Sequence, residues 1–298
     1  MWAKRYLFCL AILLAGSAAA SDAPAVFDTP QKALDTFAEA LTDRDRDEMH
    51  QIFGADADDL LSTGDPEQDR DNRALVLDLL KEGYRFQPDE DRVILVLGAE
   101  GWPFPIPLGR VDGGWQFDVE TGREEILARR IGLNELEVLV LLELYVDLQS
   151  EFRRVDHDGD GVMEFAQAII AEPGARDGLF WPEGRGFIGE ALARAAAEGW
   201  SDGESDRAPE PFNGYYFRVL QGQTDNAPGG ATSYFIGDNM VAGHAILAVP
   251  AVYGDTGITS FMVSENGLIF ESDLGPDTLD KAAGITAYDP GPDWRLDN

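Results

Sequence analysis

The chain has 298 residues, a formal net charge of -32 at pH 7 and a single cysteine. A surface this acidic repels phosphate backbones and anionic headgroups, which argues against nucleic acid or a membrane surface as ligand and favours cations or basic partners. One cysteine excludes a disulfide scaffold, so the fold must rest on a packed core.

Residues 1–20 read as a secretory signal peptide. Lys4 and Arg5 precede an apolar run from Tyr6 to Ala15, and Ala18-Ala19-Ala20 stands before Ser21. The run is too short for a permanent anchor, so the mature chain is expected to have no membrane span. Ser17 occupies the position where a lipoprotein signal needs cysteine, and Cys9 leaves with the leader. The expectation is an exported protein, periplasmic or extracellular.

Thr29-Pro30 opens the first predicted helix, with Leu34, Phe37 and Leu41 on one face. "DRDRDEMHQIF" and "DADDLLSTGD" read as short helical pieces broken by Gly54 and Gly64, and "NRALVLDLLKEGY" as an amphipathic helix stopping at Gly83. Arg92–Ala99, "RVILVLGA", is nearly all apolar and reads as a buried strand. Pro103, Pro105 and Pro107 exclude helix, while Asp112-Gly113-Gly114 marks a hairpin turn before a return strand that buries Trp115 and Phe117. Helices followed by a small antiparallel sheet make an α+β unit, similar in element order to the cone-shaped domains related to nuclear transport factor 2.

"TGREEILARRIG" and "NELEVLVLLELYVDLQSEF" predict two helices separated by Gly132, with Asn134 capping the second. Glu135, Glu137, Glu143 and Asp147 mark that second helix as part of a core rather than a membrane span. A turn-rich "GARDGLFWPEGRG" follows, then a predicted helix "FIGEALARAAAEGW" ending at Gly199 and a polar surface loop "SDGESDRAPEP". From "GYYFRVLQGQ" onward the period changes to two, giving about five short strands, with Asn266-Gly267 turning the last pair. The predicted architecture is α+β: N-terminal helices plus a β-hairpin, a long central helix and a C-terminal antiparallel sheet. The predicted divisions are a signal peptide at 1–20, an N-terminal region at 21–132 and a C-terminal domain at 133–298.

"GWPFPIPL", "GGWQFD", "GREEILARRIG", "DGDGVMEFAQ", "RDGLFWP", "YGDTGITSFMVSENG" and "DPGPDW" occur in this order. In that order they resemble the motifs of an exported bacterial family catalogued as domain of unknown function 2950. The resemblance runs from about Gly101 to Trp294. It implies export but supplies no activity, substrate or catalytic residue. His244 departs from the apolar residue expected there in that family. "PAVYGDTGITSFMVSENG", with a long helix ahead of an antiparallel sheet, also resembles type IV pilin-like domains.

One loop carries a candidate site. In "RRVDHDGDGVMEFAQ", Asp156, Asp158 and Asp160 stand at positions one, three and five of an EF-hand-type calcium loop, with Gly161 at six. The Val162 carbonyl follows, Glu164 falls at nine, and Gln167 holds position twelve, where a bidentate glutamate is usual. Losing that glutamate predicts a weak calcium site, in the roughly millimolar class of extracellular modules. The competing reading is an acidic turn capping a helix that begins near Glu164. Elsewhere the signals are weaker. No nucleophile elbow or metalloprotease helix is present, and Ser233, His244 and Asp238 form at most a chance combination. Trp102, Phe104, Phe180, Trp181, Tyr215 and Tyr216 are expected in the core, the alternative being a platform for a glycan or peptide. The sequence thus predicts a non-catalytic envelope protein with a structural calcium loop, whose partner is another envelope protein or a glycan. A carboxylate-dependent envelope hydrolase is the alternative.

Overall fold

The computed structural model describes residues 23–182, 186–197, 200–201 and 206–297. The predicted leader, the end of the helix expected at Gly199 and the centre of the polar loop after it lie outside these residues. The chain divides into two compact units between Arg129 and Arg130.

The first unit opens with α1 (Pro30–Asp43), where Thr29 caps by accepting from the Lys32 N–H. α2 (Arg46–Phe53) is capped by Asp45 and stopped by Gly54, and α3 (Asp58–Leu61) is a single turn. α4 (Pro66–Glu82) starts six residues ahead of the expected Asn72. Asp65 accepts from the N–H groups of Glu67 and Gln68, and Pro66 supplies a preset first turn. The polar residues of that turn hid it from an apolar-period reading.

Five strands complete the unit: β1 (Tyr84–Asp89), β2 (Arg92–Leu97), β3 (Trp102–Pro103), β4 (Leu108–Val111) and β5 (Gly114–Phe117). They run antiparallel in the order β1-β2-β4-β5, with β3 pairing β2. β1 pairs with the apolar β2 although its own side chains are mostly exposed, so its sequence carries no buried face. Phe37, Phe53, Phe104 and Phe117 form the centre of the core, with ring centroids 4.8–6.4 Å apart.

The two helices expected around Gly132 are one: α5 runs unbroken from Val119 to Phe152. Asp118 caps it by accepting from the Thr121 N–H at 3.1 Å. A single glycine costs a helix interior only about 1 kcal/mol, and the stripe Val138, Leu142, Tyr145, Gln149 and Phe152, all buried, holds the second half against its core. Asn134 therefore caps nothing; its amide donates to the Thr256 carbonyl at 2.8 Å.

In the second unit, β6 (Ala168–Ile170) and β7 (Gly178–Phe180) form a parallel pair. α6 (Glu190–Ala193) is much shorter than the helix predicted there. Past it, Ala195 and Ala197 exchange backbone hydrogen bonds with Phe217 instead of continuing the turns. After a two-residue pair, β8 (Trp200–Ser201) and β9 (Asp206–Arg207), the main sheet begins. Its strands are β10 (Tyr215–Leu220), β15 (Ala245–Pro250), β16 (Thr259–Ser264), β17 (Ile269–Asp273) and β18 (Arg295–Leu296), adjacent in that order and antiparallel. Between β10 and β15 lie two small ribbons, β11 (Gly222–Gln223) with β12 (Thr232–Ser233), and β13 (Phe235–Ile236) with β14 (Asn239–Met240). α7 (Thr278–Ala283) packs on β15.

β15 is buried along its whole length because the sheet is covered on both faces. Ile246 and Ala248 join the cluster that contains the α5 stripe. Ala245, Leu247 and Val249 join a second cluster with Phe165, Tyr234, Met240 and Tyr288. A strand covered on both faces reads as a continuous apolar run, as "AILAVP" does.

Candidate metal centre

α5 ends at Phe152, and the next ten residues form the acidic loop. His157 anchors its first turn: the ring donates from Nε2 to the Phe152 carbonyl at 3.0 Å and packs among Phe152, Trp181 and Phe187. With His157 turned into that aromatic cluster, the three aspartates come together. Asp156, Asp158 and Asp160 each place a carboxylate oxygen so that all three lie within 4.8 Å of one another.

The loop is held by its own side chains. Asp156 accepts from the Gly159 N–H at 2.7 Å and the Gly161 N–H at 2.9 Å, and these two bonds hold its carboxyl below the usual carboxylate range. Asp158 accepts from the Asp160 N–H and Asp160 from the Val162 N–H. Gly159 and Gly161 have φ of 83° and 91°, a region that strains residues with a Cβ, so the glycines are conformationally required.

Beyond Gly161 the chain is not helical before β6. The turn therefore does not cap a helix at Glu164, and that expectation is corrected. Glu164 turns inward, 6% exposed, and its Oε2 accepts from the Met240 N–H at 3.1 Å and from Gln167 Nε2 at 2.9 Å. Burial pushes its carboxyl up from the ordinary value, with Asp158 and Asp160 acting in the same direction. Gln167 donates a second time, to the Asp238 carbonyl at 2.9 Å. The loop thus splits into two parts: three clustered aspartates followed by Val162, then Glu164 and Gln167 bonded to the β13–β14 hairpin.

Two neighbours come from distant sequence. Asn239, in β14, donates its amide to Asp160. Asp177, just ahead of β7, is pushed up chiefly by burial and further by Glu172 and Asp158, and its buried Oδ1 has no hydrogen-bond donor among the described residues. Neither lies within the local loop pattern, and only the tertiary fold brings them near.

The remaining candidates disperse. His244 is 1% exposed, and neither ring nitrogen has a hydrogen-bond partner among the described residues, so it is not base to Ser233, whose hydroxyl accepts from the Phe235 N–H. Trp102, Phe104, Trp181 and Tyr215 are buried and Phe180 and Tyr216 half-buried, which assigns these aromatics to the cores. His50 sits beside Asp58, 3.1 Å away.

Among the described residues, no helix is long and apolar enough to cross a membrane. Neither a curated protein nor a solved structure matches the chain, and nothing supports the pilin-like likeness of its C-terminal half. A family model does match, over residues 24–296, which takes in both units and the acidic loop: the chain belongs to the DUF2950 family, described as proteins of unknown function.

Proposed function

We propose that this is an exported, non-catalytic envelope protein, a binding or assembly module in which the loop at Asp156–Val162 holds one calcium ion as a structural brace. One observation carries the metal reading. Three carboxylate oxygens fall within 4.8 Å of one another, the spread expected of ligands around a cation with contacts of about 2.4 Å. Asp156, Asp158 and Asp160 supply the charge, the Val162 carbonyl at position seven of the loop pattern adds an oxygen, and water completes the shell. Glu164 and Gln167 brace the loop from the hairpin. The export reading is supported by the leader pattern at residues 1–20.

The test is thermal unfolding of chelator-treated protein in a calcium titration. A site with a dissociation constant of about 0.5 mM adds about 1.4 kcal/mol of stability at about 5 mM calcium by mass action. Asp158→Asn should abolish that gain without lowering the calcium-free melting temperature, because an amide oxygen can still accept from the Asp160 N–H and the lost charge relieves Glu164 and Asp177. A melting curve that does not move with calcium overturns the reading.

A further inference from the structure

Opposite its buried stripe, α5 carries a second apolar row that faces solvent. Leu136, Val140 and Leu144 are 56%, 64% and 44% exposed. Single apolar residues on a surface are ordinary, but at this i, i+4, i+8 spacing the three stack along about 12 Å of helix. Each step of four residues also turns the side chain about 40° around the axis, so the row winds towards Leu141 and Leu148. Those two, with Leu144, form one wall of a shallow apolar groove whose other wall includes Ile188 and Leu192.

The charges around this row are of one sign. At about 100° per residue, Glu137 and Glu143 lie on its two flanks and Asp147 follows one turn beyond Glu143. Glu143 and Asp147 are exposed and Glu137 half-buried, and none of the three meets a cation or a hydrogen-bond donor among the described residues. The acidic residue that faces the protein is engaged by contrast: the Glu135 carboxylate accepts from the N–H groups of Ile258 and Thr259, each at 2.9 Å. Arg130, the basic residue of this part of α5, is committed to Asp255. The outer face therefore offers apolar surface and free carboxylates, with no cation of its own to neutralise them.

We infer that this face of α5 docks a basic amphipathic helix of a partner protein. The partner's apolar side packs on Leu136, Val140 and Leu144, and its lysines or arginines reach Glu137, Glu143 and Asp147. Apolar anchors one turn apart, beside a groove, are the pattern by which one helix receives another. The charges select the occupant. A second copy of this chain would set free carboxylates against free carboxylates, and an anionic lipid surface would meet the same repulsion, whereas a basic helix satisfies both the apolar row and its flanks. The inference rests on the reading of the protein as a binding or assembly module, and calcium plays no part in it.

The experiment is fluorescence anisotropy of a labelled peptide of two Leu-Lys-Lys-Leu-Leu-Lys-Leu repeats, titrated with the protein in chelator. Binding with a dissociation constant of about 10 μM is expected, and the counterpart with glutamate for each lysine should not bind. Val140→Asp is decisive because it adds a negative charge. Attraction to the bulk acidity of the chain would grow stronger, whereas docking on the row should weaken about tenfold as a charge enters the apolar contact. Leu268→Asp, which places the same charge in the exposed turn between β16 and β17, should leave the affinity unchanged. Val140→Ala, which favours helix, should weaken binding about threefold and decides if the aspartate variant does not fold. The inference is overturned if the lysine peptide fails to bind at about 0.5 mM protein, if Val140→Asp binds it as well as the parent does, or if the glutamate peptide binds equally. It is also overturned if sedimentation equilibrium shows a parent dimer that Val140→Asp separates, which would give the face to a second copy. Chelator throughout keeps any of these failures separate from a failure of the calcium reading.

Discussion

His244 provides a stringent test of the second core. The ring is packed between Tyr145 and Phe165, with centroids at 5.3 and 4.7 Å, and neither nitrogen meets a donor or acceptor among the described residues. Burial holds its pKa down at about 4, and Arg153, lying over the Phe165 ring, pushes the same way. In the unfolded chain the imidazole takes a proton near pH 6.5, whereas in the folded chain it does so only near pH 4. Between these values the unfolded state binds more protons, so stability is full above pH 6.5 and falls as pH drops towards 4. Each tenfold difference in proton affinity between the two states is worth about 1.4 kcal/mol, so the loss from this one residue is about 2.5 kcal/mol at about pH 4.5. His244→Leu keeps a comparable volume and removes both unpartnered nitrogens. It should be neutral or stabilising at about pH 7.5, since an unmatched buried polar group costs about 1–3 kcal/mol. Urea unfolding at pH 7.5, 5.5 and 4.5 is the assay. The difference in stability between variant and parent should widen by about 2.5 kcal/mol across that range. Parallel pH profiles would refute the reasoning, because they would mean that the ring protonates as easily inside the protein as outside it.

Three further outcomes follow from the packing. Gly132→Ala should stabilise the protein by about 0.5–1 kcal/mol in urea unfolding, because the glycine lies inside α5 and an added Cβ meets nothing within 4 Å. Gly122→Ala, in the same helix, should destabilise it by about 1–3 kcal/mol, since a Cβ there would lie 2.7 Å from Ile106 Cγ1. Gln149→Leu should cost about 3–5 kcal/mol by the same assay. The fully buried amide accepts from the Ala166 N–H and donates to the Ala166 carbonyl and the Tyr145 hydroxyl, and leucine strands all three.

What could be read in advance depended on whether a residue's neighbours were local. Thr29-Pro30, Gly54, Gly83 and the turn at Asp112-Gly113-Gly114 act within a few residues of themselves, and each does what its chemistry dictates. The period-two strands from Tyr215 onward were legible for the same reason. β1 was not, because its partner β2 supplies the apolar face. Gly132 does not break the helix because a local propensity of about 1 kcal/mol is overridden by the buried stripe from Val138 to Phe152, about four turns long. At the metal centre the aspartate spacing was visible, but the hydrogen bonds of Glu164 and Gln167 to a hairpin more than 70 residues away were not.

That last difference makes opposite predictions for one substitution. By loop position alone, Gln167→Glu restores the missing glutamate and should tighten calcium binding. In the fold, Gln167 Nε2 is a donor twice over, to Glu164 Oε2 and to the Asp238 carbonyl, each at 2.9 Å. A carboxylate can donate neither bond, and it would be set against Glu164, a buried carboxylate already disfavoured in its charged form. Two lost hydrogen bonds and a like-charge contact should cost about 2–4 kcal/mol. The hairpin that presents Asn239 to Asp160 should loosen with them. Gln167→Glu should therefore lower the calcium-free melting temperature and fail to increase the calcium-dependent rise. Should it instead raise calcium affinity with no loss of stability, the side chain can leave the hairpin for the loop, and the division of labour between the aspartates and the Glu164–Gln167 pair would be wrong.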